Sequence, residues 1–309
     1  MQILFAHAER DPIPWVQAFQ QALPEHTITL WTPDLPPQDA ELAIVWRPPA
    51  ELFTRETRLR AVFNLGAGAD ALLALPTLPA ELPVVRLEDA GMGLQMAEYV
   101  LHALWRAARG FDAFDAAQRR SSWEPLPGIQ RRQWPVGVLG LGAVGARVAQ
   151  AVAGFGFPVA GWSRTARDIP QVQGYVGREQ LPVFLARTRV LVNVLPLTPD
   201  TRHILNRGTL GGLLPDAWLI NIGRGDHLAE DDLIPLLDAG RLQGAALDVF
   251  ATEPLPASHP FWRHPAIRVT PHIAAASLRE ETVDQIAGKI RRMAAGQPVT
   301  GVIERDRGY

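Results

Sequence analysis

An arginine, a glutamate and a histidine each follow a short apolar run in the second half of the chain. Arg224 lies in NIGRG, Glu253 in LDVFATEPLP and His272 in TPHIAA. A guanidinium can bind a carboxylate and polarise a carbonyl. An imidazolium can protonate the developing alkoxide, and a neighbouring carboxylate favours the charged form of the ring. Together the three residues predict reduction of a 2-keto acid, although singly they also fit a surface arginine, a turn cap and a core histidine.

A glycine-rich segment, VGVLGLGAVGARVAQ, precedes these residues. It places Gly140, Gly142 and Gly145 at the spacing GxGxxG, after a predicted strand and at the start of a predicted helix. Gly140 permits a tight turn, Gly142 leaves room for a pyrophosphate, and Gly145 allows close packing of helix on strand. The helix N-terminus then directs free N–H groups at the phosphates. The segment predicts a dinucleotide site, and the alternative is a glycine turn that serves packing only.

The residues after the next predicted strand indicate which dinucleotide binds. An NAD site has an acidic residue there, about 20 residues on, to bind the ribose 2′-hydroxyl. This chain has Ser163, Arg164 and Thr165 instead. Arg164 can pair with a 2′-phosphate that a carboxylate would repel, and Arg167 is a possible second cation. We therefore predict NADP(H), and the alternative is a solvated arginine in an arginine-rich chain.

Apolar runs alternate with helical patterns along the chain, which predicts an α/β fold with parallel sheets. The predicted strands of the first hundred residues are Gln2–Ala6, Thr27–Leu30, Leu42–Trp46, Ala61–Asn64 and Val84–Arg86, with helices Trp15–Leu23, Ala69–Ala74 and Met92–Arg109. The later predicted strands are Val136–Leu139, Val159–Trp162, Val190–Asn193, Trp218–Asn221, Ala245–Asp248 and Ile267–Val269. Their helices are Ala143–Gly154, Glu179–Ala186, Glu230–Ala239 and Leu278–Ala295. The stretch 121–135 contains three prolines and is predicted to be a linker or a surface excursion.

Composition excludes several other classes of protein. The chain has 309 residues, which favours two domains, and its net charge of −2 gives no reason to expect nucleic acid or an acidic membrane as a partner. It has no cysteine, so disulfides, thiolate metal sites and cysteine nucleophiles are excluded. No leader or membrane-spanning pattern is evident, which predicts a cytoplasmic protein. Lys289 is the sole lysine and has no phosphate-binding loop before it, and His259 and His264 have no carboxylate at metal-ligand spacing.

Several motifs, taken together, resemble the D-2-hydroxyacid dehydrogenase family, and within it the glyoxylate/hydroxypyruvate reductase A type. They are IVWRPP, FNLGAGAD, RLEDAGMGLQMAEY, SSWEPLPG, GLGAVG, FPVAGWSRTAR, NVLPLTPDT, NIGRGD, LDVFATEPLP, TPHIAA and the terminal RDRGY. They extend over nearly the whole chain. The resemblance implies two Rossmann-like or flavodoxin-like domains, with the cofactor domain inserted into the substrate domain. We expect residues 1–98 and 279–309 to form the substrate domain and residues 99–278 the NADP-binding domain.

The same resemblance assigns site residues. It implies that Arg224, Glu253 and His272 are catalytic and that the loop Leu65, Gly66, Ala67 and Gly68 binds the substrate carboxylate. Two glycines there would let N–H groups converge on an anion, and the alternative is a simple turn. Trp46 is either a wall of the substrate pocket or a core residue. The expected cofactor contacts are Met96, Gly140, Leu141, Gly142, Ala143, Val144, Gly145, Trp162, Ser163, Arg164, Thr165, Leu195, Pro196, Ile222, Gly223, Asp248, His272 and Ala274.

The resemblance further implies a homodimer, and the segment Trp123–Trp134 is our candidate for reaching the partner. The small glycine-rich loop after Asn64 favours small substrates, so we expect glyoxylate to be reduced to glycolate and hydroxypyruvate to D-glycerate. Two other readings are a sensor of NADP(H) that acts like a corepressor and a hydrolase that uses Ser163. The intact catalytic residues argue against the sensor, and GWSRT lacks the second glycine of a nucleophile elbow.

Overall fold

The computed structural model describes residues 1–8 and 11–305, and the chain divides into two compact units. Unit 1 comprises residues 1–91 and 277–309, and unit 2 comprises residues 92–276. Unit 2 is therefore inserted in the sequence of unit 1. The boundary predicted between residues 98 and 99 falls inside the first helix of unit 2, since that helix begins at Met92. Residues 306–309 of the RDRGY motif lie outside the described residues.

Unit 1 is built on a parallel sheet of five short strands. They are β1 (Gln2–His7), β2 (Thr27–Leu30), β3 (Leu42–Trp46), β4 (Ala61–Asn64) and β5 (Val84–Val85), in the spatial order β2-β1-β3-β4-β5. The central strands are almost wholly buried, as expected where helices cover both faces of a parallel sheet. The order reverses between β1 and β3, which makes the carboxyl ends of these two strands a topological switch point.

The helices of unit 1 come from both stretches of its sequence. They are α1 (Ile13–Ala22), α2 (Glu51–Arg55), α3 (Asp70–Leu73) and, from the later stretch, α10 (Arg279–Ala294). Helix α10 packs against α1 and buries Ile286 and Ile290. Val302 forms an antiparallel bridge with Val85, and Ile303 enters the core beside residues of β1, β3 and β4. The second stretch therefore completes the core of the first.

Unit 2 is built on a parallel sheet of seven strands. They are β6 (Val136–Leu139), β7 (Val159–Ser163), β8 (Val172–Val176), β9 (Val190–Asn193), β10 (Ala217–Asn221), β11 (Leu242–Leu247) and β12 (Ile267–Val269), in the order β12-β11-β10-β9-β6-β7-β8. The helices are α4 (Met92–Arg109), α5 (Phe111–Arg119), α6 (Ala143–Gly154), α7 (Gly177–Ala186), α8 (Arg207–Gly211) and α9 (Glu230–Asp238). Two apolar clusters of buried residues flank the sheet. The strand order reverses between β6 and β9, which sets the ligand-binding edge at the carboxyl ends of these strands.

The predicted fold class, an α/β fold with two parallel-sheet domains, is confirmed. The sequence analysis missed four elements, namely β8, α2, α5 and α8. It also began the eleventh strand too late, because Leu242 and Gly244 already pair with β10. The stretch 121–135 contains no helix or strand apart from a single 3-10 turn, Arg131–Gln133. No helix in the described part of the chain is both long enough and apolar enough to cross a bilayer.

Candidate active site

The glycine loop joins β6 to α6 at the switch point of unit 2. Gly140 has φ +98°, and a Cβ on it would approach the Val194 carbonyl oxygen to 3.1 Å. A Cβ on Gly145 would lie 1.9 Å from the carbonyl oxygen of Gly140, so side chains are excluded at both positions. Gly142, in contrast, has no atom within 4 Å of its Cβ position. Open space therefore lies over the start of α6.

The first turn of α6 suits a phosphate group. Among the described residues no side chain caps this turn, and it contains no acidic residue. Its N–H groups carry the positive end of the helix dipole. Gly142 and Ala143 are exposed, whereas Val144 is half-buried. Because the turn is uncapped, open and free of carboxylates, the residues present fit the pyrophosphate of a dinucleotide.

The residues after β7 present cations to solvent. Arg164, Thr165 and Arg167 are exposed, and Ser163 is half-buried. The Ser163 hydroxyl donates to the Thr165 carbonyl oxygen at 2.7 Å, which orders the turn. Trp162 points the other way, since its indole is buried in the core and its Nε1–H donates to the Gly177 carbonyl oxygen at 2.8 Å. The structure thus brings Ser163, Arg164 and Thr165 together but uses the Trp162 side chain for packing.

The loop after β10 carries Arg224, which is half-buried. Its guanidinium Nη1 donates to the Gly223 carbonyl oxygen at 2.8 Å, so the side chain folds back over its own loop. The backbone of this loop runs against the loop that follows β11. A Cβ on Gly225 would lie 1.8 Å from the Phe250 carbonyl carbon, so only glycine fits at this contact. The close approach brings the loop of Arg224 beside the loop of Glu253.

Glu253 and His272 form a direct pair. Glu253 Oε2 lies 2.8 Å from His272 Nδ1, and Glu253 Oε1 accepts the Phe250 N–H at 3.0 Å. Partial burial by itself would raise the pKa of Glu253. The hydrogen bonds from His272 and Phe250, together with the charges of His272 and Arg224, outweigh this effect of burial, so the pKa of Glu253 lies below its usual value. The carboxylate is therefore ionised at neutral pH and holds the ring by its Nδ1–H.

A buried carboxylate fixes the backbone on which His272 stands. Asp248 is 1% exposed, and its two oxygens accept N–H bonds from Ile273 at 2.9 Å and Ala274 at 2.8 Å. The Thr270 hydroxyl donates to the same carboxylate at 2.6 Å. His272 itself has φ +55°, in the left-handed region that residues with side chains rarely adopt. The three bonds to Asp248 hold the loop in this conformation.

Tyr99 extends this arrangement from helix α4. Its hydroxyl lies 2.7 Å from Thr270 Oγ1 and is the donor, because the Thr270 proton is engaged with Asp248. Burial raises the pKa of Tyr99, the bond to Thr270 lowers it and the charge of Asp248 raises it, and the three effects together give a pKa of about 12. The phenol therefore stays protonated and acts as a donor. Sequence analysis assigned no role to Tyr99 or Thr270, because nothing in the sequence joins positions 99 and 270.

A second buried polar cluster lies between β9 and β10. Asn193 and Asn221 end these two strands, and the Asn193 amide donates to Asn221 Oδ1 at 2.9 Å. Asn193 Nδ2 also lies 2.9 Å from His227 Nδ1. All three side chains are fully buried. The sequence analysis missed them, although an amide as the last residue of two apolar runs is a signal that could have found the asparagines.

Most of the remaining predicted cofactor residues follow the carboxyl ends of strands in unit 2. Leu195, Ile222 and Ala274 are buried, and Pro196 is half-buried. Leu141 is also buried and packs against Gly161, where a Cβ would meet it at 2.4 Å. Met96 is half-buried against the core of the unit. Leu141 and Met96 therefore both pack against the core of unit 2.

The loop after β4 lies in unit 1 and is built around Asn64. The Asn64 amide donates to the carbonyl oxygens of Gly66 and Gly68, both at 2.9 Å. Ser277 donates to the Leu65 carbonyl oxygen at 3.1 Å. Trp46 packs against the loop, since a Cβ on Gly66 would lie 2.3 Å from its ring. The structure thus brings together Trp46 and the predicted carboxylate loop, in which Ala67 is half-buried.

The histidines of unit 2 were candidates for metal ligands only if carboxylates lay near them. Within residues 1–8 and 11–305, no group of three or more His, Cys, Asp or Glu side chains could hold a metal ion. His259 instead lies 3.6 Å from Glu230, and His264 lies 3.3 Å from Asp238. Each is a simple carboxylate–imidazole pair.

Comparison with known proteins identifies what the chain is similar to. Residues 101–274 match the family model of the NAD binding domain of D-isomer specific 2-hydroxyacid dehydrogenase. Glyoxylate/hydroxypyruvate reductase A of Serratia proteamaculans (strain 568) is 46% identical over 316 residues, with 100% of both chains covered.

Two solved structures are similar over the whole chain. A D-isomer specific 2-hydroxyacid dehydrogenase from Xanthobacter autotrophicus Py2, in complex with NADPH and MES, has 39% identity and a TM-score of 0.95, covering 100% of this chain and 99% of that one. An NADPH-dependent glyoxylate/hydroxypyruvate reductase from Sinorhizobium meliloti, in complex with NADP and sulfate, has 34% identity and a TM-score of 0.94 at the same coverage.

Proposed function

The chain belongs to the D-isomer specific 2-hydroxyacid dehydrogenase family, as its motifs predict, and on that premise we propose that it reduces glyoxylate and hydroxypyruvate with NADPH. The observation that carries the proposal is the pairing of Glu253 with His272 beside the loop of Arg224, at the same sheet edge as the open glycine loop. The products are glycolate and D-glycerate. The relatives named as glyoxylate/hydroxypyruvate reductases support this substrate class.

The cofactor preference rests on the residues after β7. NADPH, when bound, supplies the hydride that adds to the keto carbon. Gly142 and the first turn of α6 would hold its pyrophosphate, and Ser163, Arg164 and Thr165 would hold its 2′-phosphate. The turn has no acidic residue to repel that phosphate. Two similar structures contain NADPH or NADP, which supports the same choice here.

Each remaining group has one role. Arg224 binds the keto and carboxylate oxygens of the substrate and polarises the carbonyl. His272 donates the proton to the carbonyl oxygen from Nε2, because Nδ1 is held by Glu253. Glu253 stays ionised and stabilises the charged ring. After the proton has left, the neutral imidazole takes another from solvent.

The loop Leu65–Gly68 of unit 1 is proposed to bind the substrate carboxylate through backbone N–H groups. Ser277 and Asn64 bind carbonyl oxygens of this loop. Holding the carbonyls in this way leaves the N–H groups of Gly66, Ala67 and Gly68 as the donors that can meet an anion, because the Leu65 N–H already bonds to the Val45 carbonyl oxygen at 2.9 Å. Trp46, packed on Gly66, would wall the pocket and keep it small. We accordingly propose that unit 1 binds the substrate carboxylate through this loop, whereas unit 2 binds the cofactor and supplies Arg224, Glu253 and His272.

The test follows nicotinamide absorbance with each keto acid, using NADPH and NADH in parallel. We expect turnover of at least one of the two acids, faster with NADPH. Equal or better use of NADH would overturn the role of Arg164 while leaving the reaction in place. Tight NADPH binding without turnover of either acid would overturn the reductase and favour the sensor.

We further propose that the protein is a homodimer and is cytoplasmic. The segment Trp123–Trp134 is the proposed contact, because Trp123 is 96% exposed and Leu126 is 45% exposed. Large apolar side chains exposed together often mark an interface. Light scattering after size exclusion should give the mass of a dimer, and Trp123→Ser should shift it toward the monomer. Cell fractionation tests the location.

A further inference from the structure

His227 is a fully buried imidazole between two loops of the site, and the mechanism above does not use it. It ends the 3-10 turn Gly225–His227 that follows Arg224, and it is 0% exposed. On one side lies the loop after β10, which carries Arg224. On the other side lies the loop after β9, which contains Leu195 and Pro196. A buried polar ring at this position needs partners for both of its nitrogens.

Both nitrogens have partners, and these determine where the proton sits. Nδ1 accepts the backbone N–H of Arg224 at 3.0 Å and faces the Asn193 amide nitrogen at 2.9 Å. A nitrogen that accepts from two donors carries no proton. Nε2 therefore carries it and donates to the Pro196 carbonyl oxygen at 3.2 Å. The ring is the neutral Nε2–H tautomer.

The surroundings agree with a neutral ring. Burial is the largest effect and lowers the pKa of His227, the bond to Pro196 raises it, and the charge of Arg224 lowers it again. The bond from the Arg224 backbone and the charge of Asp226 raise it, but the pKa remains below its usual value. Asp226 is itself paired with Arg202 at 2.9 Å. A proton on Nδ1 would place a donor against the N–H of Arg224 and the amide of Asn193.

The backbone of Arg224 is held from two directions. Its N–H bonds to His227, and its carbonyl oxygen accepts the Asn221 amide at 3.2 Å. Because the guanidinium folds back onto Gly223, its position depends on the backbone from which it starts. The loss of one of these anchors would let the residue rotate, and small displacements of substrate-binding groups are costly to catalysis.

We propose that His227 is a positioning residue with two separate arms: Nδ1 fixes Arg224 for the keto acid, and Nε2–H fixes Pro196 on the cofactor side. The proposal rests on the function proposed above, in which Arg224 binds the substrate. The proposal also predicts an effect that would not be expected if His227 had a purely structural role. The two nitrogens should affect different kinetic constants.

Two amide variants separate the arms. His227→Asn can keep an acceptor near the Nδ1 position but cannot reach Pro196. His227→Gln can reach Pro196 with its amide nitrogen but loses the acceptor at Nδ1. The matched controls are His102→Asn and His102→Gln, because His102 is exposed on α4 in the same unit. All four are assayed for the KM of the keto acid, the KM of NADPH, kcat and the melting temperature.

We expect His227→Gln to raise the keto acid KM or lower kcat by about tenfold, with the KM of NADPH unchanged. His227→Asn should raise the KM of NADPH several-fold while keeping the keto acid KM. Wild-type constants in both variants would overturn the proposal. So would equal losses for both substrates in both variants, since a merely structural residue behaves in that way.

A second measurement does not depend on activity. ¹⁵N NMR of histidine-labelled wild-type protein, with the His227 ring assigned by through-bond correlation from its own backbone amide, should show a neutral ring with Nε2 protonated and Nδ1 unprotonated. A protonated Nδ1 at neutral pH would overturn the proposal even if the variants fail to fold. If the wild type reduces neither keto acid, the proposed function fails, and the NMR result still decides the state of His227.

Discussion

Replacing Glu253 with glutamine tests the proposed catalytic pair of Glu253 and His272 most directly. The amide keeps the size of the side chain and an oxygen that can accept the Phe250 N–H. It loses the negative charge that faces His272 Nδ1 at 2.8 Å. The reasoning predicts a slower reaction in a protein that still folds, because the imidazolium form loses its counter-charge.

The expected loss of activity can be estimated from the type and solvent exposure of the hydrogen bond between Glu253 and His272. A hydrogen bond to a charged group contributes about 1.5–3 kcal/mol, whereas an exposed ion pair contributes about 0.2–1 kcal/mol. The Glu253 side chain is 29% exposed and that of His272 is 44% exposed, so solvent screens the pair in part. We therefore expect a loss of about 1–2 kcal/mol. Since 1.36 kcal/mol is tenfold, kcat should fall about 5–30-fold.

The assay is steady-state oxidation of NADPH with hydroxypyruvate. Asp238→Asn is the matched control, because Asp238 pairs with His264 at 3.3 Å in the same unit but is not part of the proposed catalytic set. The control should keep the wild-type kcat. A Glu253→Gln enzyme that keeps full kcat, or that loses no more than the control, would refute the role of Glu253.

The pH dependence provides a second check on the same variant. The pKa of Glu253 is lowered, so its carboxylate is ionised at every pH above the ordinary pKa of a glutamate. It becomes protonated only as the pH falls through the lowered pKa. The ratio of wild-type to variant kcat should therefore stay above one throughout the range from about pH 6 to about pH 8. It should decrease in more acidic solution, where the wild-type carboxyl also becomes neutral. A ratio that falls to one already at neutral pH would contradict the lowered pKa of Glu253.

Three further predictions follow from the same geometry. Arg164→Ala should raise the KM of NADPH about tenfold or more and leave that of NADH unchanged; a parallel rise for both would exclude contact with the 2′-phosphate. Gly225→Ala should destabilise the protein by about 1–3 kcal/mol, because the added Cβ would lie 1.8 Å from the Phe250 carbonyl carbon. Gly211→Ala is the control and should not lower the melting temperature, because open space surrounds that position. Since the pKa of His227 is lowered, the unfolded chain binds its proton more readily, and thermal stability should fall as the pH drops below the ordinary value of 6.5; His227→Asn should reduce that fall.

The sheets were predictable because their strands are buried on both faces. Continuous apolar runs such as VGVL at β6 and VLVN at β9 are typical of central parallel strands. The missed strand β8, VQGYV, lies at the sheet edge with a glycine and exposed positions, so it has no continuous run. Local patterns therefore indicated the centre of each sheet better than its edge.

In the candidate site, too, some residues could be predicted from the sequence and others could not. Arg224, Glu253 and His272 could be found because each stands just after a strand, and strand ends converge in a parallel sheet. His227 and Tyr99 could not, since their importance depends on contacts with Asn193, Pro196 and Thr270 that are distant in sequence. The sequence pattern shows which residues follow the carboxyl ends of strands. Only the tertiary structure shows which other residues position them through hydrogen bonds.

The insertion of unit 2 has a consequence for synthesis of the chain. The core of unit 1 includes Ile303, and helix α10 packs on α1, yet these parts are made only after all of unit 2. At ~5–20 residues per second, the first stretch waits roughly 10–40 seconds for its missing portion. During that interval its sheet lacks the bridge from Val302 to Val85 and the cover of α10. Unit 2 is continuous and can fold first, so the nascent first stretch is where we expect chaperone binding and misfolding.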